Sequence, residues 1–207
     1  AFVFWTGRYI FENISEKEIK DVLNRKDEKE IKEKLSCFVL QTILEEVIKY
    51  ERKPVIQLII GAYVKLIPEI KYSRIIEITS SDILYSYQKL FDQFYNLKFD
   101  LLVSSSVRSK ELDIIARMCP NVSLSGTWLH TMFANDIKNI FSSRLDFVPI
   151  YKLSAFFSDA YISEWVYGKL SLSKRCIEEV IDKKIKDKWI KSKKEEILEM
   201  LFWENPA

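Results

Sequence analysis

The segment P-V-I-Q-L-I-I-G-A, Pro54 to Ala62, decides the fold. Val55 to Ile60 is apolar at every position except Gln57, and Pro54 and Gly61 bound the run. A short continuous apolar run suits a strand buried on both faces, as in parallel sheets, whereas a strand with one wet face alternates. The same kind of run recurs downstream at Phe99 to Val103, Asn121 to Ser125 and Lys152 to Phe157, and upstream at Phe2 to Trp5.

Between these runs the pattern changes to amphipathic segments with helix start signals. Ser15 opens S-E-K-E, a capping-box pattern, ahead of a charged helix to about Lys34. A second helix is expected from about Ser36 to Lys49, with Phe38, Ile43 and Val47 at helical spacing. Ser80 or Ser81 can cap a helix to about Tyr95, and Ser109 one from Lys110 to Met118 that Pro120 stops. Further helices are expected at about Asn135 to Arg144, Ser173 to Lys186 and Ser192 to Trp203, the last with a Ser192–Glu195 capping pair. Alternation of buried strands with helices predicts a parallel α/β fold. Two architectures fit: an open doubly wound sheet, or about five strands of a (β/α)₈ TIM barrel. In both, chemistry belongs at the C-terminal ends of the strands.

Composition narrows the function classes. The chain has 207 residues, 48% hydrophobic and 30% charged, with a net charge of +2. That balance predicts a soluble globular domain spanning 1–207 and gives no electrostatic reason to expect nucleic acid or membrane partners. No apolar run approaches the roughly 18 residues of a spanning helix. Cys37, Cys119 and Cys176 are odd in number and form no C-x-x-C, so free thiols and a cytoplasmic setting are expected. The chain opens at Ala1 inside an apolar run, which predicts further residues upstream.

Several motifs are missing. No G-x-G-x-x-G follows a strand, there is no P-loop and no G-x-S-x-G elbow, and His130 is the one histidine. The remaining candidates are single residues at strand ends. Asp159, in F-F-S-D-A-Y, could bind a metal or act as a base, or could order a loop. His130, in G-T-W-L-H beside Trp128, could be a general acid or a packed structural residue. Arg8 and Tyr9 could hold an anionic substrate group, or Arg8 a surface ion pair. The triplet Ser104 to Ser106 could bind a ligand or simply fill a polar loop.

Taken in order, P-V-I-Q-L-I-I-G-A, F-D-L-L-V-S-S-S-V-R-S-K-E-L (Phe99 to Leu112), C-P-N-V-S-L-S-G-T-W-L-H (Cys119 to His130), V-P-I-Y-K-L-S-A-F-F-S-D (Val148 to Asp159) and M-L-F-W-E-N-P (Met200 to Pro206) resemble one family. They look like the C-terminal part of the amidohydrolase-related, metal-dependent TIM-barrel hydrolases, in the branch similar to uronate isomerase. The resemblance implies that the five strands are the fourth to eighth of the barrel, with the N-terminal strands and their H-x-H pair outside this chain. It implies a divalent metal, Zn or Mn, that lowers the pKa of a bound water and polarises a small-molecule substrate. It puts Asp159 at the eighth-strand metal and proton-transfer position; Trp128, Arg8 and Tyr9 stand beside it as candidate substrate contacts read from their places at the strand ends. It also puts Ile59 and Val103 at the histidine positions of the fifth and sixth strands, with Glu111 retained after the sixth. Neither side chain has a donor atom, so the resemblance implies a degenerate site, or an active hydrolase, decarboxylase or isomerase whose ligands come from upstream. Five parallel strands leave two open edges, which predicts a poorly soluble chain or a homo-oligomer.

Overall fold

The computed structural model describes residues 2–5, 10–25, 27–66, 74–126 and 132–205, with backbone only for 2–5, 64–66 and 74–76. Five strands form one all-parallel sheet: β1 (Phe2–Trp5), β2 (Ile56–Ile60), β5 (Phe99–Val103), β6 (Val122–Ser125) and β7 (Leu153–Ser154), in spatial order β1-β2-β5-β6-β7. These are the five strands expected from the apolar runs. The order follows the chain and never reverses, so the sheet has no switch point of the doubly wound kind.

The two faces of the sheet differ. Ile56, Leu58 and Ile60, then Phe99, Leu101 and Val103, then Val122 and Leu124, and finally Leu153 and Ala155 all join the main core. That core also takes Leu84, Leu90 and Phe91 of α3 (Ser81–Gln93), Leu112, Ile115 and Ala116 of α4 (Ser109–Met118), Ile137 and Phe141 of α5 (Ala134–Phe147), and Ile177 and Ile181 of α6 (Ser163–Lys186). The alternate strand residues Ile59 and Leu102 form a separate small cluster with Phe157, and among the described residues no helix contributes to it. Helices on one face of a singly wound parallel sheet are the arrangement of a barrel wall. The expected partial (β/α)₈ barrel is therefore borne out over the doubly wound alternative.

Several helix boundaries move. The helix expected through Lys34 is α1 (Glu16–Arg25); Ser15 and Glu18 make the reciprocal capping-box bonds at its start. Asp27 then caps α2 (Glu28–Ile48) by accepting from the Lys29 and Glu30 amides at 3.0 Å, so the two expected helices divide there and not near Ser36. Helix α6 starts ten residues before the expected Ser173. The Ser192–Glu195 pair does not cap: α7 (Lys194–Glu199) starts after Lys193, without a side-chain cap, and ends in a π-helical turn, Met200–Glu204. An antiparallel hairpin, β3 (Ala62–Leu66) and β4 (Arg74–Ile78), was not expected at all. It rises directly from the C-terminal end of β2 after Gly61, whose φ of +115° sets the bend. All three cysteines are free and buried, and burial pushes their thiols up. No helix among the described residues is long and apolar enough to cross a membrane.

Candidate functional site at the strand ends

The C-terminal ends of β2, β5, β6 and β7 lie side by side and lead into Gly61, Ser104, Gly126 and the segment Phe156 to Asp159. Two glycines mark close approaches. A Cβ on Gly126 would lie 2.7 Å from the Phe157 amide nitrogen and 3.0 Å from the Phe156 carbonyl carbon, so only glycine lets the β6 and β7 ends pack this tightly. A Cβ on Gly61 would meet the Ser105 nitrogen at 3.2 Å.

Ser104 is a fastener. Its hydroxyl accepts from the Ala62 amide at 2.8 Å and donates to the Ile60 carbonyl at 2.9 Å, tying the β5 end to the bend after β2. Burial is complete at Ser104 and nearly so at Ser105, which leaves the structural alternative for that part of the triplet.

Below this rim, on the face away from the helices, a polar ladder crosses three strands. Gln57 Nε2 donates to Asp100 Oδ2 at 3.0 Å, Ser123 Oγ to Asp100 Oδ1 at 3.1 Å, and Ser125 Oγ to Asp100 Oδ2 at 2.5 Å. One carboxylate, 7% exposed, thus collects three donors from β2 and β6. Above the ladder stand Ile59 and Leu102 with Phe157. Asp100 is legible in the sequence as the lone charge inside an apolar run, and the sequence reading passed over it.

Asp159 sits at the β7 end, half-buried, in the left-handed region with φ 38°, which Asp tolerates better than most residues. Lys169 Nζ, from the first half of α6, donates to the Ser158 and Asp159 carbonyls at 2.8 and 2.9 Å and lies 5.9 Å from the Trp165 ring centre. Arg8, Tyr9, Trp128 and His130 lie outside the described residues. Of Asp159, His130, Arg8, Tyr9 and Trp128, only Asp159 lies among the described residues.

The two ligand positions differ. Ile59 belongs to the interior cluster. Val103 does not: it packs with Phe99 and Leu101 in the helix-side core, so a side chain there points toward the helices, and Leu102 carries the interior face at that strand end. Glu111 is engaged elsewhere. Arg108 Nη1 reaches its two carboxylate oxygens at 3.2 and 3.1 Å, Ser81 Oγ donates to it at 2.7 Å, and Arg108 Nε donates to the Thr79 carbonyl at 2.7 Å. This knot joins the β4–α3 and β5–α4 connections. Arg108 carried no distinguishing signal in the sequence.

Among the described residues, the donor set at the strand ends does not fit a divalent metal. Zinc and manganese take imidazole, thiolate or carboxylate ligands in groups. Among the described residues no group of three or more His, Cys, Asp or Glu is placed to hold an ion. Isoleucine and leucine at the interior strand ends offer no lone pair.

Behind the sheet, a buried ion pair joins α4 to α5. Arg144 Nε lies 3.4 Å from Asp113 Oδ1, Arg144 Nη1 donates to the Gly126 carbonyl at 3.0 Å, and both side chains are closed to solvent. Burial pushes the Asp113 carboxyl up to about 6, against the pull of the Arg144 charge.

No family model matches this chain, and no curated protein matches it. Solved structures do. Uronate isomerase from Thermotoga maritima matches with a TM-score of 0.80 at 15% identity, covering 95% of this chain and 46% of that one. A uronate isomerase from Bacillus halodurans matches with a TM-score of 0.70 at 20% identity, covering 95% and 51%. Glucuronate isomerase from Caulobacter crescentus matches with a TM-score of 0.75 at 14% identity, covering 96% and 44%. The chain spans about half the length of the solved structures it matches. At these identities the likeness is one of fold, and the expected resemblance to this barrel type holds at that level.

Proposed function

We propose that this chain is a degenerate amidohydrolase-like barrel protein, a binding or partner subunit whose strand ends no longer support metal-dependent hydrolysis or isomerisation. The observation that carries the reading is the apolar cluster of Ile59, Leu102 and Phe157 on the interior face, beside the strand ends where the resemblance implies histidine ligands. Ile59 has lost the donor atom, and at the next strand the interior position falls to Leu102, which has none either. Losing imidazole at such positions removes ligands outright, and one aspartate, Asp159, is a poor divalent site on its own. Titrating the purified full-length protein with Zn²⁺ and with Mn²⁺ tests this. The reading expects no stoichiometric binding in the micromolar range, and a saturable one-to-one isotherm would overturn it.

The fold match to three uronate or glucuronate isomerases favours a second reading. In it the full-length protein is an active isomerase, hydrolase or decarboxylase acting on a sugar acid or other small carboxylate. Residues upstream would supply the metal ligands, Asp159 would handle the proton, and His130, Trp128, Arg8 and Tyr9 would contact substrate. Asp159→Asn separates the readings. Loss of a uronate isomerase activity in the variant supports the second, and no activity in either protein supports the first.

A further inference from the structure

Polar chemistry that neither reading of function uses lies between α4 and α5. Ser109 and Asp113 stand one turn apart on α4, and Arg144 meets them from α5. The three residues are 4%, 1% and 0% exposed. Helix α4 packs on β5 and β6, each of which has a strand on both sides, so this chain alone encloses the cluster. Its internal bonding is incomplete. Arg144 Nη1 donates to the Gly126 carbonyl at 3.0 Å, but Arg144 Nε and Nη2, both Asp113 oxygens and Ser109 Oγ have no hydrogen-bond partner among the described residues. The 3.4 Å contact of Nε with Asp113 Oδ1 is longer than a good N–H···O bond, about 2.7–3.2 Å. Every buried side-chain nitrogen or oxygen left without a partner among the described residues falls in this one cluster. Such atoms carry the full cost of leaving water, and in folded proteins they are nearly always satisfied by protein or by ordered water.

We propose that Ser109, Asp113 and Arg144 form a buried hydration site, whose ordered water completes the bonding of Arg144 and so fixes its guanidinium on the Gly126 carbonyl at the end of β6. The chemistry of the five atoms selects the occupant. Arg144 Nε and Nη2 only donate, the Asp113 carboxylate only accepts, and the Ser109 hydroxyl does either. A group between them must accept from the guanidinium and donate to the carboxylate, which water does. The charges of Asp113 and Arg144 cancel, so an ion would stand uncompensated in the interior, whereas water adds no charge. A buried water makes about three hydrogen bonds, and three side chains are present to make them. The consequence reaches the rim of the sheet. Gly126 donates its amide to the Ser154 carbonyl at 2.8 Å and has no room for a Cβ against Phe157. Arg144 holds the same residue from α5, which makes it a positioning residue for the junction of the β6 and β7 ends under either reading of function.

Crystals of the full-length protein that diffract well enough to order internal water test the site. The expected result is a density peak within hydrogen-bonding distance of Arg144 Nε or Nη2 and of Asp113 or Ser109. An Arg144 fork closed directly on the Asp113 carboxylate, with no peak between the three side chains, would overturn the site, and so would a peak that refines as a metal or halide ion. Two variants then test the link to Gly126. Asp113→Asn keeps an acceptor and the side-chain volume, so the peak should stay and the Gly126 carbonyl carbon resonance should hold its position. Asp113→Leu removes the acceptors, so the peak should vanish and that resonance should move toward its position in Arg144→Met. A Gly126 resonance unmoved in Asp113→Leu would contradict the positioning role. Should Asp113→Leu or Arg144→Met fail to fold, the peak in the unmodified protein and in Asp113→Asn decides: present in both supports the proposal, and absent from either contradicts it.

Discussion

The helix-side face of the sheet and its interior face are built from alternate residues of the same four strands, β2, β5, β6 and β7, yet they obey different rules. The helix side is uniformly apolar, from Ile56 through Leu101 to Leu153, and packs as one core with α3 to α6. The interior side carries Gln57, Asp100, Ser123 and Ser125 in a hydrogen-bonded ladder, with Ile59 and Leu102 as an apolar pair above it. The first face does the generic work of burial. The second is where a barrel places its chemistry, and here its polar groups are spent on one another.

The sharpest way to break this contrast is to truncate one side chain on each face. Leu101→Ala, on the helix side at 0% exposure, should cost about 2–5 kcal/mol in urea unfolding. A loss below about 1 kcal/mol would mean that this face is not the core. Next in size is Gly126→Ala, where the new Cβ meets the Phe157 nitrogen at 2.7 Å; the expected loss is about 1–3 kcal/mol, since the neighbour is backbone and must shift. On the interior face, Ser123→Ala removes one of three donors to Asp100 and should cost about 1 kcal/mol. Equal losses for Leu101→Ala and Ser123→Ala would erase the distinction between the faces.

A further expected effect is a pH dependence of stability. Asp113 holds its proton up to about 6 in the folded chain, against 3.8 for the ordinary group, because burial outweighs the Arg144 charge. A raised carboxyl pKa means that the folded state binds more protons than the unfolded state between these values. Its contribution to stability is therefore full below pH 3.8 and is lost as pH rises through about 6. The difference in unfolding free energy between wild type and Asp113→Asn, followed from pH 4 to 7, should shift against the wild type over that window. A flat difference would show that the group is not raised.

Much of the fold was legible because burial on both faces leaves a simple mark. The runs at Val55 to Ile60 and Phe99 to Val103 read as parallel strands and are so. The hairpin of β3 and β4 was not legible: it follows β2 after only Gly61, too close to stand apart from the β2 run. The split at Asp27 was missed because the charge pattern of α1 and α2 runs on without a proline or glycine. At the site, the parity of a strand decides where a side chain points, and a shift by one residue reverses it. That is why Ile59 fell on the interior face as expected while Val103 fell among the helices. The Arg108–Glu111 knot and the Asp113–Arg144 pair join elements through tertiary packing that no spacing in the chain records.

The proposal that the strand ends no longer assemble a divalent-metal centre is tested most directly by metal content. The full-length protein, purified without chelators and dialysed, should carry well under one equivalent of zinc or manganese per chain by elemental analysis. One tightly held equivalent, retained through dialysis and lost in Asp159→Asn, would contradict the account and return the protein to the active metal-dependent class.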